Sequence, residues 1–71
     1  MEKYANLNGD SNITGYEIGN DRIIIQFREG RNYHYSYNLA GSMNVENMKR
    51  LAKEGLKLSN YINVHVKYLN D

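Results

Sequence analysis

Hydrophobic and polar positions alternate most regularly between Arg22 and Tyr37 (RIIIQFREGRNYHYSY), and the other elements are read around that stretch. Ile23, Ile25 and Phe27 fall on one side of a β-branched strand over Arg22–Phe27, with Arg22, Ile24 and Gln26 on the other. Tyr33, Tyr35 and Tyr37 repeat the alternation on the strand that follows. The connecting loop decides which way these tyrosines point. A two-residue loop at Glu29-Gly30 would set Tyr33 opposite Gln26 and Tyr35 opposite Ile24. A three-residue loop, Arg28-Glu29-Gly30, sets Tyr33 opposite Ile25 and Tyr35 opposite Ile23. Slipping the register by one residue turns every side chain to the other face. The longer loop places glycine where a positive φ is needed and makes one continuous apolar and aromatic face, so it is the expected arrangement. Ile24, alone on the opposite face, predicts a central strand partly covered on both sides.

Upstream, Asn12–Ile18 (NITGYEI) predicts a first strand with Tyr16 and Ile18 on one face and a bulge at Gly15. A two-residue turn at Asn20-Asp21 would pair Ile18 with Ile23 and Tyr16 with Ile25. Residues 1–10 show no clean period and end in the turn-like Asn8-Gly9-Asp10. They are expected to form a flexible arm, with Tyr4 and Leu7 as docking contacts, ahead of a single domain over 11–71. Downstream, Asn38 to Ser42 reads as a linker and Asn44 as a helix N-cap. Val45, Met48, Ala52 and Leu56 then form one stripe, flanked by Leu51 and Gly55. Lys49, Arg50, Lys53, Glu54 and Lys57 occupy the rest, the pattern of an amphipathic helix lying on the sheet. The last segment, Leu58 to Leu69, fits two periods. Ile62, Val64 and Val66 alternate as in a strand. Leu58, Tyr61, Ile62, Val66 and Leu69 form a helical stripe, with Ser59 or Asn60 as cap.

Composition narrows the picture. A chain of 71 residues buries about 60% of its unfolded surface. With no cysteine and no proline it has no disulfide staple, which leaves good packing or self-association as the source of stability. A net charge of +1 is weaker than a dedicated nucleic-acid binder usually carries. MEKYANLNGD lacks the apolar run of a signal peptide and no stretch approaches membrane-spanning length, so a cytoplasmic protein without a membrane partner is expected.

Several short motifs occur in a familiar order. They are Ser11-Asn12-Ile13, Gly15-Tyr16, Phe27-Arg28-Glu29-Gly30, Tyr33-His34-Tyr35, Leu51-Ala52 and the run Gly55-Leu56-Lys57-Leu58-Ser59-Asn60-Tyr61-Ile62-Asn63. Together they resemble the KTSC domain, named for the C-terminal extension of some lysyl-tRNA synthetases and found also in small stand-alone bacterial and phage proteins. The similarity runs from about Ser11 to Val66. The chain departs from it in lacking proline after the third strand and in having Lys57 or Ser59 where the family often has a second glycine. The resemblance implies a three-stranded sheet followed by helices, which takes the last segment as a short helix. The expected class is therefore α+β: a three-stranded antiparallel meander, an amphipathic helix and a short C-terminal helix packed on one sheet face. No activity is established for the family. RNA binding is implied only through the synthetase association and the aromatic motif.

The candidate sites each have a plainer reading. Tyr33, Tyr35 and Tyr37 could stack bases. The register instead favours Tyr33 and Tyr35 as core beneath the helix, and leaves Tyr37 evenly open between the two. His34 points away from them, beside Arg28 and Arg31; it would contact a base or phosphate, although an ordinary exposed histidine outweighs that reading. His65 is the only other histidine, and two distant histidines without cysteine make no metal site. Arg22, Arg28 and Arg31 with Lys49, Arg50, Lys53 and Lys57 would make a phosphate-facing patch, or a solvated helix face that Glu46 and Glu54 interrupt. Ser59, Asn60, Tyr61 and Asn63 follow a glycine and either open a helix whose amides take an anion or simply cap and turn the chain. No nucleophile, strained serine motif or carboxylate pair suggests catalysis, and no cofactor is expected.

The expected function is a small non-catalytic binding module for RNA or another phosphate-bearing ligand such as a nucleotide. Its contacts would be Arg28, Arg31, His34, Tyr37, Ser59, Asn60, Tyr61 and Asn63. The alternative is a protein-interaction or ligand-sequestering module, such as a phage-encoded inhibitor or adaptor, acting as a homo-oligomer.

Overall fold

The computed structural model of the chain describes residues 1–71. In chain order the elements are β1 (Glu2–Lys3), β2 (Ile13–Ile18), β3 (Arg22–Phe27), β4 (Asn32–Ser36), α1 (Ser42–Glu54) and α2 (Leu58–Tyr61). A π-helical turn, Ile62–Val66, continues α2 without a break. The sheet is antiparallel in the order β1-β2-β3-β4. The α+β class therefore stands, with four strands rather than three.

The additional strand comes from the first ten residues. Two residues are too few to show a period of two, so β1 has no signature of its own. It is held by long-range contacts: Glu2 lies opposite Tyr16 and Lys3 opposite Gly15. A Cβ at Gly15 would lie 2.9 Å from the Glu2 carbonyl oxygen, so the glycine lets β1 close on β2 as well as forming the bulge. Tyr4 follows into the core at 3% exposure, and its hydroxyl accepts the Leu58 N–H at 3.3 Å. Leu7 N–H donates to the Gly55 carbonyl at 2.8 Å, while the Leu7 side chain stays exposed. The segment is thus stitched to both the sheet and the helices instead of standing off as an arm.

Both hairpin registers follow the alternation. Tyr16 pairs with Ile25 and Ile18 with Ile23 across the first turn. Tyr33 pairs with Ile25 and Tyr35 with Ile23 across the second. Gly30 has φ +93°, and the Phe27 N–H reaches the Arg31 carbonyl at 2.8 Å, closing the three-residue loop. Ile23, Ile25 and Tyr35 are buried beneath Val45, Met48, Leu51 and Ala52 of α1 and Leu58, Ile62 and Val66 of the last segment. Ile24 is half-buried on the opposite face between Glu17 and His34, its cross-strand neighbours, with no second layer above it.

Two helix boundaries differ from expectation. The cap of α1 is Gly41, at φ +91°, and Asn44 lies inside the first turn. α1 stops at Gly55, whose φ of +79° is left-handed and whose missing Cβ would lie 2.7 Å from Ala5 Cβ. Leu56 consequently falls beyond the helix and is only half-buried. The last segment is helical because spacing by four puts Leu58, Ile62 and Val66 into the core together. A strand would have buried Val64 with them, and Val64 is 66% exposed.

Candidate functional site

α1 and the last helical segment are tied together by a hydrogen-bond chain. Asn44 Nδ2 donates to the Ala40 carbonyl at 2.8 Å, and Asn44 Oδ1 accepts the Tyr61 hydroxyl at 2.7 Å. Asn47 Nδ2 donates to the same hydroxyl oxygen at 3.1 Å. The phenol tip is thereby anchored to α1 while the ring stays half-exposed. His65, four residues on, stacks against that ring with centroids 4.3 Å apart and planes at 33°. The wider π-turn carries His65 over Tyr61, and such turns recur at functional sites.

These rings border a hollow of about 250 Å³ that Arg50, Lys57, Asn60 and Val64 also line. Arg50 pairs with Glu54 at 3.3 Å across exposed helix surface, a bond weak enough to exchange for another anion. Lys57 makes no ion pair. On the other side of Lys57 and Asn60 lies a smaller polar hollow of about 180 Å³, bordered by Asn6, Asp10, Ser11 and Ser59. Asn6 (φ +52°) and Lys57 (φ +66°) are the two non-glycine residues with left-handed backbone, and both line it. Such a conformation costs on the order of 1 kcal/mol or more for a residue like lysine, and it turns Lys57 onto the ridge between the two hollows.

Two larger depressions have a different charge. One of about 450 Å³ holds Glu2 and Glu17 with Lys53, and one of about 490 Å³ holds Glu17 and Asp21 with Arg22. Each has two carboxylates in its lining, which suits neither to an anion.

The residues singled out from sequence are dispersed. Asn60 and Tyr61 share the cationic hollow, and Ser59 lies in its polar neighbour. Asn63 is exposed and lines neither. Arg28 reaches from the hairpin tip to the Ser11 carbonyl at 3.3 Å. Arg31 Nη1 donates to the Tyr33 hydroxyl at 3.2 Å, a bond that raises the guanidinium pKa further. His34 is on the open face of the sheet, away from the helices. Tyr37 donates to Glu46 Oε2 at 2.5 Å, with Lys49 Nζ 5.8 Å from its ring centroid. That bond raises the phenol pKa; Lys49 first and Tyr37 second hold Glu46 below its ordinary value. Tyr35 is core at 1% exposure, and Tyr33 packs tilted on Phe27 at 5.1 Å, so neither offers a free stacking face.

Arg50, Lys57 and His65 complete the hollow but are missing from the sequence-derived contact set. Lys57, Tyr61 and His65 are spaced by four, a signal that becomes readable once the last segment is known to be helical. No group of three or more His, Cys, Asp or Glu side chains comes together to hold a metal. No helix is long and apolar enough to cross a membrane. Comparison with protein-family models, curated proteins and solved structures returns no match.

Proposed function

We propose that this protein is a small non-catalytic binding module for a phosphate-bearing ligand, RNA or a nucleotide, acting in the cytoplasm, in keeping with its resemblance to the KTSC domain. The observation that carries the reading is the anchored Tyr61–His65 stack beside Arg50 and the unpaired Lys57 in one hollow. A ring held at its hydroxyl keeps its orientation without a ligand, so stacking a base on the pair requires little further ordering. The two cations line the same hollow and would attract a phosphate attached to that base, a contribution that falls with salt.

The test is titration of the protein with short single-stranded RNA, a nucleoside monophosphate and inorganic phosphate over a salt series. Affinity should fall steeply with salt. His65→Ala should weaken the base-bearing ligands and leave inorganic phosphate unchanged, whereas Arg50→Ala should weaken all three. Absence of binding, or binding that ignores salt and both substitutions, would refute the reading.

A protein-interaction module is the second reading, supported by Val64, Tyr68 and Leu69, apolar side chains that are 66%, 85% and 39% exposed on the same C-terminal segment. It predicts that Tyr68→Ser abolishes a protein contact while nucleotide affinity is unaffected.

A further inference from the structure

The two edges of the sheet are finished differently. β1 is two residues long and carries Glu2 and Lys3, a short and charged edge of the kind that resists pairing with another chain. β4 is five residues long, Asn32-Tyr33-His34-Tyr35-Ser36, with no lysine, carboxylate, proline or bulge.

The direction of its peptide groups follows from the ladder. Arg31, on the hairpin side, accepts from Phe27, and Tyr37, at the far end, donates to the Asp21 carbonyl at 2.9 Å. Alternation then turns the peptide groups of Tyr33 and Tyr35 toward β3 and those of Asn32, His34 and Ser36 outward. On that outer side the His34 carbonyl accepts Asp71 N–H at 2.7 Å and the Ser36 carbonyl accepts Ala40 N–H at 2.9 Å. The outward N–H groups of Asn32, His34 and Ser36 have no backbone partner. Asp71 covers the centre of the edge, held by that one bond and by the Ser36 hydroxyl donating to its carboxylate at 2.8 Å, and the turn to Ala40 covers the Ser36 carbonyl at its end.

We infer that the outer edge of β4 is the surface through which two copies of this chain pair, antiparallel about a two-fold axis at His34, joining their sheets into one. In this register His34 and the partner's His34 exchange both main-chain hydrogen bonds. Asn32 lies opposite the partner's Ser36, a neutral pair of short polar side chains, and no like charges face each other across the seam. The hollow beside His34 holds Asp21, Arg22 and Asp71, so charges of both signs border the seam. Asp71 must leave the His34 carbonyl for the central bonds to form, which makes the pairing reversible and weak. A short chain without disulfides gains from such an association.

Sedimentation equilibrium over a concentration series tests this. The wild-type chain should show a monomer–dimer equilibrium. His34→Pro removes the N–H needed at the axis without touching a β3–β4 bond, and should abolish the dimer while the monomer melts as a folded domain. Asn32→Lys places a charge on the edge and should abolish it too, independently of the proline backbone. Ser36→Ala releases Asp71 and should tighten the dimer roughly fivefold. A wild-type chain that stays monomeric throughout, or a dimer that survives both His34→Pro and Asn32→Lys, would overturn the inference.

Discussion

Tyr35 in the sheet and Tyr61 on the last helix use the same side chain in opposite senses. Tyr35 buries its ring at 1% exposure, and burial first, with neighbouring Tyr33 second, pushes its hydroxyl pKa up to about 12. Tyr61 differs: its hydroxyl is tied down by Asn44 and Asn47, and its half-buried ring packs on the edge of the core with one side against His65. An aromatic ring inside contributes area and packing. A ring outside, fixed at its polar tip, contributes an oriented surface. Counting tyrosines does not separate the two roles, whereas locating the hydroxyl's partner does.

The contrast can be broken most sharply by truncation. Tyr35→Ala should cost about 3–5 kcal/mol in urea unfolding, most of the stability of a domain this small. Tyr61→Ala should cost about 1–2 kcal/mol and leave a folded domain with weakened ligand binding. Equal losses at the two sites would erase the distinction.

Alkaline pH probes the burial of Tyr35 without changing the core volume. The Tyr35 pKa is raised in the folded state, so its stabilising effect is fully present below the ordinary tyrosine value of roughly 10 and is lost as pH rises toward about 12. Tyr4, raised chiefly by burial, acts in the same direction. Thermal melts by circular dichroism should therefore fall steeply above about pH 10, and Tyr35→Phe should flatten that fall. At neutral pH, Tyr61→Phe should cost about 1 kcal/mol, the worth of its hydrogen bonds to partly buried amides, and reduce affinity for a base-bearing ligand. The smallest expected change is Lys57→Gly. Relief of the left-handed backbone should raise stability by up to about 1 kcal/mol while removing the cation, so melting temperature and affinity should move in opposite directions. A parallel fall in both would show that Lys57 is structural.

Much of the sheet was legible in the chain because its information is local. The period of two over Ile23–Phe27 and Tyr33–Tyr37, with Gly30 at the turn, selects one register, and the structure has it. Gly15 was readable as a bulge, although not as the place where Glu2 comes close. The cap of α1 misled, because Asn44 has the chemistry of a cap and is used instead to hold Tyr61. The candidate site was legible only in fragments: Asn60 and Tyr61 stand out on one segment, whereas Arg50 and Lys57 read as part of a separate basic patch with the hairpin arginines. Their neighbourhood depends on whether twelve residues that suit both strand and helix form one or the other.

By itself, then, the sequence determined what period and turn chemistry encode: the meander, its register, the amphipathic α1 and the placing of Tyr33 and Tyr35 opposite Ile25 and Ile23 on one face. Tertiary structure decided what needs contacts between distant residues. A strand of two residues exists because Tyr4 is buried and bonded to Leu58, 54 positions away. The last segment is helical because the core accepts Leu58, Ile62 and Val66 together. Tyr61 and His65 face a cationic hollow only because that helix forms and α1 holds the phenol in place. Local patterns act through neighbours in the chain, and these features depend on burial, which is a property of the whole fold.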